Sequence, residues 1–436
     1  MASMNNAHTP HAHPRLHALD NLRALMMWLG IVLHVAINHL TVDSPLPWRD
    51  PKTSPVADML LLFIHSFRMP VFFVLAGFFV ALLVERRGAG GMLKNRGLRL
   101  ALPFAVFWPP LFALTTVLAM VYIHLTVRGV PGIDTALTPA RQPGGSPFNT
   151  MHLWFLYQLF WFSVLAWAGV RLQRFVPARL RDAVARGFAL LAERRWGFAV
   201  LALPLALAGS FYPSGIATES GSFLPPLGEW VQSGLFFVFG WYLHRGQEHL
   251  LGLFAARCKG HALAGLPFFV ATVALLGGLH GAGPHRLPHP EFWIAFAYNA
   301  TSWLWSLALI GGFVRYVSRQ NAVLRYLSES SYWVYLVHML GTIGFGILLF
   351  NAPFGALAKM GLNIAATSLV ALASYQLLVR YTPIGTLLNG RRLTRAQRRS
   401  LASAGSGSPA APPCAQSRPG AAAAGAPSAG SSTAGW

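Results

Sequence analysis

Charge is scarce in this chain. Charged residues make up 11% of its 436 positions, against about 25% in an ordinary soluble domain. Acids are the scarcest, 13 against 34 lysines and arginines. A chain this poor in charge cannot cover itself as a soluble protein of its length does. Cysteine is nearly absent: Cys258 and Cys414 are too far apart for a metal spacing or a disulfide framework. There is no GxSxG elbow, no Walker loop and no HExxH helix, which excludes the serine-hydrolase, P-loop and zincin chemistries those motifs serve. The histidines at His8, His11, His13 and His17 are too loosely placed for a metal site, and no metal is expected. The N-terminus does not resemble a cleavable signal peptide. The excess of base, a net charge of +21, flanks apolar runs instead of forming a continuous patch, so nucleic acid is not an expected partner.

What fills the chain is apolar sequence, 54% of all residues. It is gathered in runs at 22–41, 56–84, 100–126, 152–172, 197–212, 230–244, 262–280, 291–316, 331–351 and 360–380. A membrane-crossing helix needs about 20 apolar residues, and no alternating pattern of a barrel appears. The expected fold is all-α: a polytopic membrane helix bundle of about ten transmembrane helices. The fifth and sixth runs are short and contain Gly or Pro. The arginines and lysines fall in alternate connections: Arg86, Arg87, Lys94, Arg96 and Arg99; then Arg171 to Arg195; then Arg245, Arg257 and Lys259; then Arg315, Arg319 and Arg325. The intervening connections hold few, among them Arg49, Lys52, Arg128, Arg141, Arg286 and Lys359. By the positive-inside rule this places both termini in the cytoplasm. Residues 1–18 and 386–436 are expected to be disordered cytoplasmic ends, the latter Ala/Gly/Ser/Pro-rich. The helical unit is then 19–385, a multi-pass membrane protein in contact with lipid.

Within those runs stand ionisable residues where they are costly. Arg68 lies near the middle of VADMLLLFIHSFRMPVFFVLAGFFVALLV, with His65 one turn before it. A guanidinium at mid-membrane costs about 2.5–3.5 kcal/mol on insertion scales and needs a partner or a water-filled cavity. Few acids are available in the runs to supply one. Pro70 and Gly77 interrupt the same helix and admit water or a close helix contact. In the first run, LDNLRALMMWLGIVLH holds Asp20, Arg23 and His34. Asp20 suits a helix cap or a pair with Arg23. His34 lies about 16 Å further along the helix, and fits either a buried structural histidine or a general base. His39 sits near the outer edge and reads as interfacial. Arg96 and Arg99, i and i+3 in KNRGLRLALP, suit a phosphate or carboxylate and equally an ordinary positive anchor. MHLWFLYQL offers His152 and Trp154, the latter also a fit for an aromatic belt. SYWVYLVHML offers Tyr335 and His338, which packing explains as well as catalysis does.

LDNLRAL…VLH, FRMPVFFVLAGFF, the RxxR ahead of Pro103, HLWFL and SYWVYLVH, in this order over residues 18–380, resemble the acyltransferase-3 family of multi-span membrane enzymes. FIHSFRMPVFFVLAGFF and HLWFL bring the chain closer to the glucan-succinylating branch. Pro70 departs from a strict match to that branch. The resemblance implies an O-acyltransferase that moves an acetyl or succinyl group from acyl-CoA to a hydroxyl of an extracytoplasmic glycan, such as a periplasmic glucan. His34 would be catalytic, with Arg68 and Asp20. Arg23, Arg96 and Arg99 would hold the anionic donor; His65, His152, Trp154, Tyr335 and His338 would line the acceptor side. No bound cofactor is implied beyond acyl-CoA as donor substrate, and other glycan-synthesis proteins are possible partners. A polysaccharide or proton-coupled transporter using the same residues is the alternative, and a scaffold in a glycan-synthesis complex the next.

Overall fold

The computed structural model describes residues 14–44, 46–137, 148–279, 287–319 and 321–389. They belong to one compact unit, Met1–Arg392; a second, Leu393–Trp436, lies outside the described residues, as do the expected disordered ends except at their inner margins. At those margins Pro14 already begins the first helix and a short helix closes the described chain.

The described residues are helical and contain no strand. In chain order the helices are α1 (Pro14–Ile37), α2 (Pro55–Arg96), α3 (Leu102–Arg128), α4 (Trp154–Leu172), α5 (Ala178–Glu193), α6 (Gly197–Gly209), α7 (Leu227–Arg245), α8 (Gln247–Leu279), α9 (Pro290–Tyr316), α10 (Ala322–Leu349), α11 (Ala356–Ser374) and α12 (Pro383–Asn389). Six stretches are long and apolar enough to cross a membrane: His17–Ile37, Pro55–Arg128, Met151–Phe175, Gln247–Leu279, Ala322–Leu349 and Ala356–Val379. The second spans 74 residues, about 110 Å at the helical rise. It is broken where Gly88 leaves helical geometry (φ 68°, ψ 168°) and again at a π-helical turn, Gly97–Ala101. Helices stand at all of the apolar runs. α6 is shorter than a crossing helix, and α7 and α9 carry polar side chains that lower their hydropathy. On α9 these polar groups face inward and are satisfied by the helix itself: Asn299, Thr301 and Ser302 donate to the carbonyls of Ala295, Ala297 and Tyr298. α5 was expected as part of a basic connection. It is helical because ARLRDAVARGFALLAE sets apolar residues at helical spacing, and Phe188 stacks on Tyr242 of α7 at 4.7 Å.

Burial orders the bundle. In the most apolar window of Pro55–Arg128, 72% of residues are buried, against 11% in Gln247–Leu279, so α2 is central and α8 peripheral. α2 starts cleanly, with Ser54 capping it and Pro55 at its first position. α1 and α2 run antiparallel, their near ends joined by Asp50 N–H to Asn38 O and Ser54 N–H to His39 O. α2 and α7 touch backbone to backbone at Gly77 and Gly240.

One expectation about charge is corrected. His39, just past the end of α1, is buried, its Nδ1 2.8 Å from the Lys52 carbonyl. Burial pushes its imidazole below the usual range, with the Lys52 carbonyl and Asp50 opposing and Lys359 reinforcing that shift. The correction is Lys359, which is not a connection charge. It lies in the first turn of α11, buried, its Nζ donating to both carboxylate oxygens of Asp50 at 3.0 Å and to the Phe350 carbonyl at 2.6 Å. The connection between α1 and α2 folds inward and brings Asp50 to it. Lys359→Met would strand a buried carboxylate, which costs about 3–5 kcal/mol. The expected result is a clear fall in thermal midpoint in detergent, with the Asp50→Asn/Lys359→Met double variant less affected than the single one.

Candidate active site

The site is built where α1, α2, α10 and the start of α4 meet. Arg68 is buried on α2, and its Nε donates to the Met26 carbonyl of α1 at 3.2 Å. The guanidinium lies over the α1 turn that ends at Gly30. A Cβ at Gly30 would stand 2.9 Å from Arg68 Nη2 and 3.7 Å from His338 Nε2. Glycine here leaves the space in which these two groups converge. One turn on, His34 presents its ring 5.1 Å from that of His338. His338 lies 5.3 Å from His152, ring to ring.

Hydrogen bonds set the tautomers. A carbonyl only accepts, so a ring nitrogen bonded to one must carry the proton. His338 Nδ1 donates to Tyr335 O at 2.7 Å, and His152 Nε2 donates to Leu336 O at 3.0 Å. Tyr335 in turn donates its hydroxyl to the His152 carbonyl at 2.7 Å. That leaves lone pairs on His338 Nε2 and His152 Nδ1. Neither atom has a protein partner, and nor does Nδ1 of His34. Each unsatisfied buried polar group costs about 1–3 kcal/mol. Three such atoms gather within this one cluster, where buried polar groups are ordinarily paired.

On the His65 side of this cluster a connection folds in. The connection between α6 and α7, residues 210–226, is pinned by Thr150, whose N–H and Oγ1 both donate to Gly221 O (2.7 and 2.8 Å), and by Tyr157, whose hydroxyl donates to Phe223 O at 2.8 Å. Ser220 N–H donates to Glu229 Oε1 at 2.9 Å. Gly215 (φ 70°) and Gly221 (φ 65°) take left-handed backbone on either side of Glu219. This turns Glu219 inward, its Oε2 3.4 Å from His65 Nε2. The other ring nitrogen of His65 meets the Tyr298 hydroxyl of α9 at 2.7 Å. Burial pushes the Glu219 carboxyl up, and His65 and Arg68 more than reverse this, leaving it below the usual carboxylate range. Glu219 thus pairs with His65 and adds negative charge near Arg68, whose own hydrogen bond goes to the Met26 carbonyl.

The other expected residues lie at the far end. Asp20 is paired with Arg23 at 3.3 Å, with both side chains partly exposed. It is separated from His34 by about 21 Å of helix, and the structure does not bring the two together. Arg96 precedes the π-helical turn and Arg99 lies within it; Arg96 keeps a buried Nε without a partner. Arg99 Nη1 donates to the carbonyls of Thr386 and Leu387 on α12 (3.0 and 2.8 Å), beside a cleft of about 360 Å³ lined by Leu98, Leu102 and Pro383. Tyr332 donates to the Arg99 carbonyl at 2.7 Å. Trp154 packs on Phe73 and Phe155, ring centroids at 6.4 and 6.1 Å, within the aromatic core around α2. No group of His, Cys, Asp or Glu among the described residues is arranged to hold a metal.

Gly30, Glu219 and Tyr298 are the residues that sequence reasoning missed. Gly30 stands one helical turn before His34 and so on its face, which was a readable signal. For Glu219 the only signal was the rarity of acids. Gly30→Val is expected to push the Arg68 side chain out of the cluster and lower transfer by about 10²-fold, the loss typical of one displaced charge-stabilising donor. Because the contacted atom ends a flexible side chain, the thermal midpoint should stay near wild type.

Residues 16–378 match a protein family described as an acyltransferase domain, acyltransferase-3. Among curated proteins the chain is 28% identical to "Glucans biosynthesis protein C" of Shigella dysenteriae serotype 1 (strain Sd197), over 76% of this chain and 83% of the relative. It has the same identity and coverage with proteins of that name from Escherichia coli O157:H7 and Escherichia coli O81 (strain ED1a). No solved structure matches the chain.

Proposed function

The chain belongs to the acyltransferase-3 family and is a membrane acyltransferase; from that premise we propose that it esterifies a hydroxyl of an extracytoplasmic glucan with an acetyl or succinyl group taken from acyl-CoA. The observation that carries this reading is the meeting of His34, His338, His152 and Arg68, with three unpartnered ring nitrogens, inside an apolar bundle. The glucan is suggested by the printed name of the relatives.

The reaction balances on these residues. The acceptor oxygen attacks the thioester carbonyl carbon as His34 takes its proton. Negative charge gathers on the carbonyl oxygen beside Arg68, where a low-dielectric setting strengthens the attraction. The C–S bond then breaks, the new C–O ester bond remains, and the sulfur leaves as thiol with the proton from His34. His338, its Nδ1 held by a backbone carbonyl, offers Nε2 toward the same space and steadies the imidazolium. The Arg23, Arg96 and Arg99 end receives the phosphates of the donor, as forked guanidiniums do. Asp20 serves that end through Arg23 and takes no part at the carbonyl. In this reading the chain is a multi-pass protein of the bacterial inner membrane with about ten crossings, termini cytoplasmic, and the arginine end faces the CoA pool.

Mass spectrometry of periplasmic and surface glucans, from cells with and without the intact gene, tests the proposal. Loss of an ester mass on deletion names the acyl group and the acceptor. Identical profiles, together with movement of unmodified glycan across the membrane, would replace the enzyme reading by transport.

A further inference from the structure

The charged ends of the site are opposite in sign. Asp20 aside, the end formed by the start of α1 and the close of α2 carries Arg23, Arg96 and Arg99. The mouth beneath the 210–226 connection carries Glu219, with His65 and the Tyr298 hydroxyl bonded beside it. An anionic thioester donor is repelled by a carboxylate. A neutral ligand bearing hydroxyls is not: sugar O–H groups donate well to carboxylates and exchange hydrogen bonds with Tyr and His. Beyond Tyr298 the polar wall continues on the same helix, where Asn299 Oδ1 accepts from Gln232 Nε2 at 2.7 Å. A turn closes the connection on one side of Glu219, from Gly215 N–H to Tyr212 O, and Thr150 ties it down on the other at Gly221. The carboxylate is therefore held in place before any ligand arrives.

We propose that Glu219, with His65 and Tyr298, forms the acceptor subsite, and that Glu219 positions a neutral polyhydroxyl ligand by accepting from its hydroxyls. The assignment rests on the acyltransferase reading above and adds the residues that select the acceptor. In the free protein His65 Nε2–H occupies the carboxylate; a sugar hydroxyl joins or replaces it, and the ligand is delivered toward His34 and Arg68, Arg68 lying one turn along α2 from His65.

The test uses the full-length protein in detergent, succinyl-CoA and acetyl-CoA as donors, and linear β-glucan oligosaccharides as acceptor probe, with release of CoA thiol as readout. Glu219→Gln keeps shape and removes charge. It should raise the acceptor KM about ten- to a hundredfold, the worth of a charged hydrogen bond, with a far smaller change in donor KM. Glu219→Asp should recover part of the loss. A merely structural role would move donor and acceptor constants together and lower the thermal midpoint, and that result overturns the assignment. An unchanged acceptor KM overturns it too. Binding is read separately from turnover: Ser220, exposed beside Glu219, is changed to Cys and alkylated. Protection by the oligosaccharides and not by CoA supports the subsite; protection by CoA, or by neither, removes it. If wild-type protein releases no thiol with either donor, the acyltransferase mechanism fails while the protection assay still decides the subsite. If wild type turns over and Glu219→Gln matches it, only the subsite fails.

Discussion

His34→Ala is expected to lower glucan acylation by about 10²–10⁴-fold, the usual worth of a positioned general base, while the protein inserts and melts as wild type does. The reason lies in what the ring touches. His34 Nδ1 makes no hydrogen bond within the protein, so its removal strands no partner. Its ring neighbour His338 keeps the bond from Nδ1 to Tyr335 O. A histidine that held the fold together would show the reverse pattern, with bonds to lose and a stability cost. The measurement pairs thiol release from acyl-CoA with a thermal melt of the same preparation. A rate within a few-fold of wild type removes His34 from the chemistry. A collapsed melt would mean that the ring is a packing element after all. Donor binding should persist in the variant, because Arg23, Arg96 and Arg99 stand at the other end of α1 and α2.

Gly240→Leu is expected to abolish folded protein. A Cβ at Gly240 would stand 1.9 Å from the Val74 carbonyl oxygen, and one at Gly77 1.9 Å from that of Phe237. Both obstacles are backbone, so neither can swing aside as a side chain can. The two helices must part, and the close packing that small residues permit is lost along their contact. Losses above about 4–5 kcal/mol follow from such overpacking combined with displaced backbone. α2 also carries Arg68 and His65, so any surviving protein would have its site pulled open. Size-exclusion chromatography in detergent reads the outcome: the variant should aggregate or fail to accumulate. Gly312→Ala is the control, because nothing lies within 4 Å of a Cβ there. Alanine in that helix should be neutral or slightly stabilising. A normal profile for Gly240→Leu would show that α2 and α7 are not packed backbone to backbone.

The helices and most of the side chains that gather in the candidate site were legible in the sequence, for a common reason. Apolar runs separated by turn and basic residues have few options but helices, since a backbone in lipid must satisfy its own hydrogen bonds. An ionised or imidazole side chain inside such a run is costly enough to be noticed on its own. His34, Arg68, His152 and His338 could therefore be picked out singly, each with a structural alternative. Their convergence could not: it depends on how α1, α2, α10 and the start of α4 cross, and crossing geometry is set by which small residues allow close approach, as at Gly77 and Gly240. Connections were harder still. Hydropathy treats 42–55 and 213–229 as links between apolar runs, yet the first folds in to bury Asp50 against Lys359 and the second brings Glu219 to His65. The amino-acid order by itself determined a helical, membrane-borne chain with ionisable residues placed at cost along its axes. Tertiary structure alone decided which of them meet, that Asp20 stays with Arg23 at the far end, and that an acid from a connection reaches His65. Contact between residues distant in sequence is a property of packing, and no local pattern encodes it.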